Sequence, residues 1–135
     1  MSPATTQEPR IARVLAALQS GDGEQIRAIC HPDLTIEDPP GLPYGGVYRG
    51  FDGMLEVAGK LFAAVADCRM QTELIIGDPA GDEFVLKQRM TGRIARTGRP
   101  VEMGILEHYS FRDGLLVSIR PYYWDTRALA ELLAE

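Results

Sequence analysis

Two carboxylates lie where the strand pattern would put apolar side chains. Side chains alternate between the faces of a β-strand, so residue parity assigns a face. From Val101 to Phe111 the odd positions are Val101, Met103, Ile105, Glu107, Tyr109 and Phe111, and Glu107 is the one charged member of that apolar set. In "LTIEDPPG", Leu34, Ile36 and Asp38 share one parity, while Thr35 and Glu37 take the other. Asp38 therefore faces inward and Glu37 outward. An ionised carboxylate buried without partners costs several kcal/mol, so both inward acids need a reason. Two such acids on different strands suit proton-transfer chemistry. One stays ionised and carries a proton, while the other is kept neutral by its apolar site and donates a hydrogen bond.

Structural readings stand beside that one. Glu107 could pair with Arg89, Arg93 or Arg120, although parity sets Arg89 and Arg93 opposite the face of Phe84, Leu86 and Met90. Asp38 could cap the loop that begins at Pro39 by accepting backbone N–H groups. His31, before Pro32, reads as a capping or packing residue, and His108 has outward parity. Two isolated histidines and the distant Cys30 and Cys68 offer no metal site and no disulfide framework. No serine sits in a nucleophile elbow, and "GGVYRG" lacks the lysine and following helix of a phosphate loop. Tyr122, Tyr123 and Trp124 follow Pro121, which cannot donate to a ladder, so a bulge or strand edge is expected there and parity beyond it is not used. Tyr44 and Tyr48 could form a lid over the space beside Asp38.

The elements that must hold these acids read as helices first and strands after. Residues 1 to 8 are polar and expected to be flexible, and 9–135 form a single domain. Ile11, Val14, Leu15 and Leu18 recur at helical spacing, and the "GDG" at Gly21 ends that helix. A short helix from Glu24 to Cys30 precedes the strand "DLTIED". "PPGLPYGGVYRG" reads as a loop. Asp52 is expected to cap a third helix bearing Met54, Val57, Leu61, Phe62 and Val65. "CRMQTELIIG", "EFVLKQRMTGRIA", "VEMGILEHYSF" and "LLVSIRPYYW" read as four strands joined by short turns into an antiparallel meander. Asp125 can cap a last helix with Leu129, Leu132 and Leu133. This order argues α+β, with helices on one face of a curved sheet and room for a small apolar ligand at one end.

Composition narrows the partners. With 135 residues, 45% hydrophobic, and a net charge of −5, the chain does not suit nucleic acid or an anionic membrane. The N-terminal "MSPATTQEPR" has no apolar signal core and no segment is long enough to span a bilayer, so a cytoplasmic location is expected.

These motifs resemble the nuclear-transport-factor-2-like (SnoaL-like) superfamily, and within it the bacterial ketosteroid isomerases. The likeness runs through "VLAALQSGD", "HPDLTIEDPPG", "YRGFDGML" and "LEHYSFRDGLLVSIR". It implies a cone-shaped fold, a curved, mostly antiparallel sheet with three to four helices on its concave face. Those isomerases carry their general base in a segment like "TIEDPPG", at the place of Asp38. They have an acid of the oxyanion hole in the segment like "LEHYSF", at the place of Glu107, where a neutral carboxyl donates. Their oxyanion tyrosine, on the first helix, falls at Val14, which leaves Tyr44, Tyr48, Tyr122 or Tyr123 to replace it. The resemblance implies no cofactor, a homodimer, and a small hydrophobic substrate such as a steroid- or polyketide-like ketone. Catalysis is expected from Asp38 and Glu107, and substrate contact from Val14, Phe62, Met90, Met103, Ile119 and Tyr123. The superfamily leaves three functions open: a double-bond shift through an enolate, a polyketide-cyclase aldol closure with the same acids, and non-catalytic binding of a small hydrophobic ligand.

Overall fold

A computed structural model describes residues 9–135; the expected flexible segment 1–8 lies outside the described residues. Helices α1 (Arg10–Ser20) and α2 (Gly23–Ile29) lead into strands β1 (Cys30–Asp38) and β2 (Gly46–Arg49). Helix α3 (Gly50–Ala64) follows, then strands β3 (Val65–Ile76), β4 (Glu83–Ile94), β5 (Pro100–Arg112) and β6 (Leu115–Tyr123), and helix α4 (Thr126–Ala134). The six strands form one open, curved sheet in the order β2-β1-β6-β5-β4-β3. All neighbours are antiparallel except β1 and β6, which are parallel.

Local chemistry sets most boundaries. Gly21, at φ 68°, closes α1 in the left-handed conformation that costs glycine least. Asp22 caps α2 by accepting from Glu24 N, and Asp125 caps α4 by accepting from Ala128 N. Asp113 and Gly114 both have positive φ, as a two-residue hairpin between β5 and β6 requires.

Five expectations need correction, one of them Val65, which opens β3 and does not lie on the third helix. The proline- and glycine-rich segment is not all loop: Gly46–Arg49 pairs with β1, with Tyr48 opposite Ile36. The edge of β1 offers unpaired backbone groups, and "GVYR" has enough side chain to use them. Helix α3 starts at Gly50 with Arg49 at the cap position and no side-chain cap; Asp52 lies in its first turn instead, where its charge favours the helix dipole. Helix α2 stops at Ile29, so Cys30, His31 and Pro32 belong to β1. Pro32 is tolerated because the register between β1 and β6 shifts between Cys30 and Thr35. Strand β6 runs through Pro121 with no shift in its pairing to β5 there, so side-chain alternation continues to Tyr123.

The core has two parts. One, beneath α1, includes Ile11, Val14, Leu34, Ile36, Phe84, Leu86, Phe111 and Leu116. The other, beneath α4, includes Leu42, Val65, Met90, Ile94, Met103, Ile105 and Leu129. Val57 of α3 packs against both. Leu86 is completely buried on β4, so Leu86→Ala should cost about 2–5 kcal/mol through lost contacts and a residual void. Urea unfolding would show it as a lower midpoint at unchanged slope; an unchanged midpoint would contradict this packing.

Candidate active site

Strand register builds the site. On β5, Glu107 lies opposite Leu86 of β4 and Pro121 of β6. Gln88, two residues along β4 from Leu86, is therefore a diagonal neighbour of Glu107 on the same face. Thr72 of β3 lies opposite Gln88, and Tyr109 lies two residues beyond Glu107, opposite Ile119. These side chains meet. Gln88 Nε2 donates to Glu107 Oε1 at 3.0 Å, Tyr109 OH donates to the same oxygen at 3.0 Å, and Thr72 Oγ1 donates to Gln88 Oε1 at 2.7 Å. No arginine takes part. Arg89 bonds Glu73 and Glu102, Arg93 bonds Asp67, and Arg120 bonds the outward-facing Glu37.

Asp38 ends β1 and is 5% exposed. No donor among the described residues bonds its carboxyl. It faces a cavity of about 440 Å³ that Glu107, Gln88, Tyr109 and Thr72 also line. The remaining wall is largely apolar, from Leu15 and Leu18 of α1, Met54 and Leu61 of α3, and Ile36 of β1. Tyr44 and Tyr123 add a hydroxyl pair, 2.8 Å apart. Asp38 also borders a second, more open pocket with Glu37, Arg120 and Thr126.

The residues named from sequence divide accordingly. Asp38, Glu107, Phe62, Ile119 and Tyr123 come together on the cavity wall, Phe62 at its exposed rim. Val14, Met90 and Met103 do not reach it. Val14 sinks into the core beneath α1, and the next residue, Leu15, turns toward the cavity. Met90 and Met103 share the inner face of the sheet with Glu107, but the loop carrying Leu42 and helix α4 with Leu129 cover that end. Among the tyrosines, Tyr44 and Tyr123 line the cavity. Tyr48 is buried elsewhere, its hydroxyl donating to Tyr44 O, and Tyr122 is exposed on the outer face. Sequence reading passed over Tyr109, Gln88 and Thr72 as functional groups. Tyr109 carried a signal, a phenol two residues from Glu107 with the same parity; Gln88 carried one too, a polar residue of the same parity as Leu86 and Met90.

Burial, and then the negative charge of Glu107, push the Asp38 carboxyl up to about 7. Burial also raises Glu107, against the bonds from Gln88 and Tyr109, which favour its anion. Burial raises the phenols of Tyr44, Tyr109 and Tyr123. Two carboxyls side by side in an apolar space resist ionising together. A carboxyl poised near 7 beside a second carboxyl whose own value is raised is suited to moving a proton on and off carbon. Among the described residues no cluster of three or more histidine, cysteine or acidic side chains could hold a metal, and no helix is long and apolar enough to cross a membrane.

Comparison with known proteins gives a consistent fold. The family model described as the SnoaL-like domain matches residues 11–119. A nuclear-transport-factor-2-like protein from Burkholderia thailandensis E264 superposes with a TM-score of 0.81 at 21% identity, over 95% of this chain and 98% of that one. TerC, co-crystallised with polyporic acid, gives 0.78 at 22% identity, over 93% and 96%. A candidate SnoaL-like polyketide cyclase from Jannaschia sp. CCS1 gives 0.76 at 16% identity, over 100% and 97%. No curated protein sequence matches the chain.

The raised Asp38 value has a consequence for stability. Above the ordinary value of 3.8 the unfolded chain has lost this proton while the folded protein still holds it. The stability it contributes is complete below that value and declines as the pH rises to about 7. Asp38→Asn lacks this loss, so its melting temperature should gain on that of the wild type from about pH 4 upward. Parallel melting curves for the two proteins across pH would contradict a buried, unpartnered Asp38.

Proposed function

The chain belongs to the SnoaL-like domain family, and from that premise we propose that it is a cofactor-free acid/base enzyme of the ketosteroid-isomerase type, acting on a hydrophobic ketone. One observation carries the reading: Asp38, 95% buried and without a donor among the described residues, faces an apolar cavity across from a second carboxyl. Ionised Asp38 takes the proton from a carbon next to the substrate carbonyl. The C–H electron pair forms a carbon–carbon double bond, and the carbonyl oxygen becomes an enolate. The O–H of neutral Glu107 donates to that oxygen. Asp38 then returns the proton two carbons further along, the carbonyl re-forms, and the double bond has moved into conjugation. Atoms and charge balance with no cofactor.

Aldol closure of a polyketide-like ketone is a second reading, favoured by the Tyr44–Tyr123 pair. Two phenols carry two protons and share one bond, so one O–H stays available for another substrate oxygen. The same acid and base serve, with the enolate carbon attacking a second carbonyl of the substrate. Both readings take the protein as a cytoplasmic homodimer, with exposed Leu106 and Tyr122 on the outer face of the sheet and exposed Trp124 just past its last strand as the apolar surface to be covered.

The test follows absorbance of the conjugated enone after mixing with a Δ5-3-ketosteroid. Wild-type kcat/KM should rise with pH through an apparent pKa near 7, set by Asp38. Asp38→Asn should lower the rate by about 10²–10⁴, and Glu107→Leu, which removes the oxyanion donor, by about 10²–10³. Wild-type turnover in Asp38→Asn would sink both readings. A wild type inert to the steroid but active on a poly-ketone panel would select the cyclase.

A further inference from the structure

The donors around Glu107 are distributed unevenly. Both Gln88 Nε2 and Tyr109 OH bond Oε1. Among the described residues nothing donates to Oε2, although Glu107 lines the cavity. An ionised carboxylate is an acceptor at both oxygens, whereas a carboxylic acid has one carbonyl oxygen that accepts and one O–H that donates. The arrangement matches the acid, with Oε1 as the carbonyl and Oε2 as the hydroxyl.

Gln88 holds that arrangement only in one of its two amide orientations. Turned over, it would present its carbonyl to Glu107 and draw the acid proton away from the cavity. Thr72 partners the amide oxygen in the first orientation. Its hydroxyl donates to Gln88 Oε1 at 2.7 Å, from the position directly opposite on β3, which leaves Nε2 to face Glu107. Gln88 is 4% exposed, so its amide is held mainly by these protein partners.

The geometry points to Thr72 and Gln88, together with Tyr109, as positioning residues that select the oxygen of Glu107 bearing the proton and aim that proton at the ligand. Each bond in the series polarises the next: Thr72 to Gln88, Gln88 to Glu107, Glu107 to the ligand oxygen. A carbonyl oxygen that accepts two hydrogen bonds makes its own O–H a stronger donor. Nothing in the series requires Gln88 or Thr72 to touch the substrate. The inference rests on the reading of Glu107 as the neutral acid, and its test needs no turnover.

The measurement is infrared spectroscopy of the carboxylic-acid C=O stretch at pH 7, in ligand-free protein labelled with ¹³C-glutamate to separate glutamic from aspartic bands. Wild type should show a protonated-carboxyl band that shifts on labelling and disappears in Glu107→Gln. Its frequency should be low, because its carbonyl is doubly hydrogen-bonded. Gln88→Met and Tyr109→Phe should each raise it. Thr72→Val should raise it too, since the freed amide can turn over and stop donating, whereas Thr72→Ser should keep the wild-type band. Asp38→Asn should leave the band in place. The inference is overturned if the protonated band belongs to Asp38, if no protonated glutamic acid is seen, or if Gln88→Met or Thr72→Val leaves the frequency unchanged. A correct band pattern in a protein inert to every ketone would sink the proposed reaction and not the positioning of the proton.

Discussion

Taking an ionised carboxylate out of water without a cation costs several kcal/mol even after relaxation, and Glu107 is placed where that cost applies. It sits in the middle of β5 with Leu86 opposite on one side and Pro121 on the other. The arginines near it in sequence or register are occupied by Glu73, Glu102, Asp67 and Glu37. What the fold supplies instead is neutral: an amide and a phenol on neighbouring positions of the same face. Neutral donors ease the burial of a carboxyl without neutralising a charge. The site therefore remains responsive to protons and to whatever polar group enters the cavity, which a salt bridge would have prevented.

The cavity itself follows from how unevenly one sheet face is covered. Alternation puts Met103, Ile105, Glu107, Tyr109 and Phe111 on the same side of β5. At the Met103 end, α4 and the loop with Leu42 close over the sheet and leave Met90 and Met103 in the core. At the Phe111 end, α1 does the same with Ile11 and Val14. Only the middle stays open, beneath α3, and that middle is where Glu107 and Tyr109 fall. The same residue period that makes a core thus makes a polar floor for a pocket, by placing two polar side chains at the one stretch that no helix fills.

Period and parity were legible in the sequence and carried most of this. The inward faces of Asp38 and Glu107 and the outward face of Glu37 follow from alternation alone, and the cap at Asp125 and the short turn between β5 and β6 are local chemistry. What was not legible depends on pairing between distant segments. Nothing in "GGVYRG" says that β1 has a free edge for it. Nothing along β5 alone says which end a helix will cover, so Met103 and Phe62 looked equally suited to touch a ligand. The Thr72–Gln88–Glu107 series depends on a register between β3, β4 and β5 that short-range pattern does not encode, and the register shift between Thr72 and Leu74 makes it harder still to count. Pro121 misled in the opposite sense: its missing N–H did not disturb the ladder, and Tyr123 stayed on the inner face.

One asymmetry remains to be explained. The donors cluster at Glu107, whereas Asp38, the acid assigned the resting negative charge, has none among the described residues. If the site were built to stabilise its resting state, the distribution would be the reverse. In the proposed reaction the charge does not stay where it starts. Asp38 loses it on accepting a proton, and it reappears on the enolate oxygen beside Glu107. In that reaction the cavity would hold one negative charge throughout and shift it from the undefended end to the defended one. Burial without a hydrogen bond keeps the Asp38 carboxylate basic, up to about 7. Fixing Gln88, Tyr109 and Thr72 around Glu107 in advance means that the donor array needs no rearrangement when the charge arrives. On the proposed reaction, donors are placed where charge develops and kept from where it begins, and that difference between the two ends would lower the barrier.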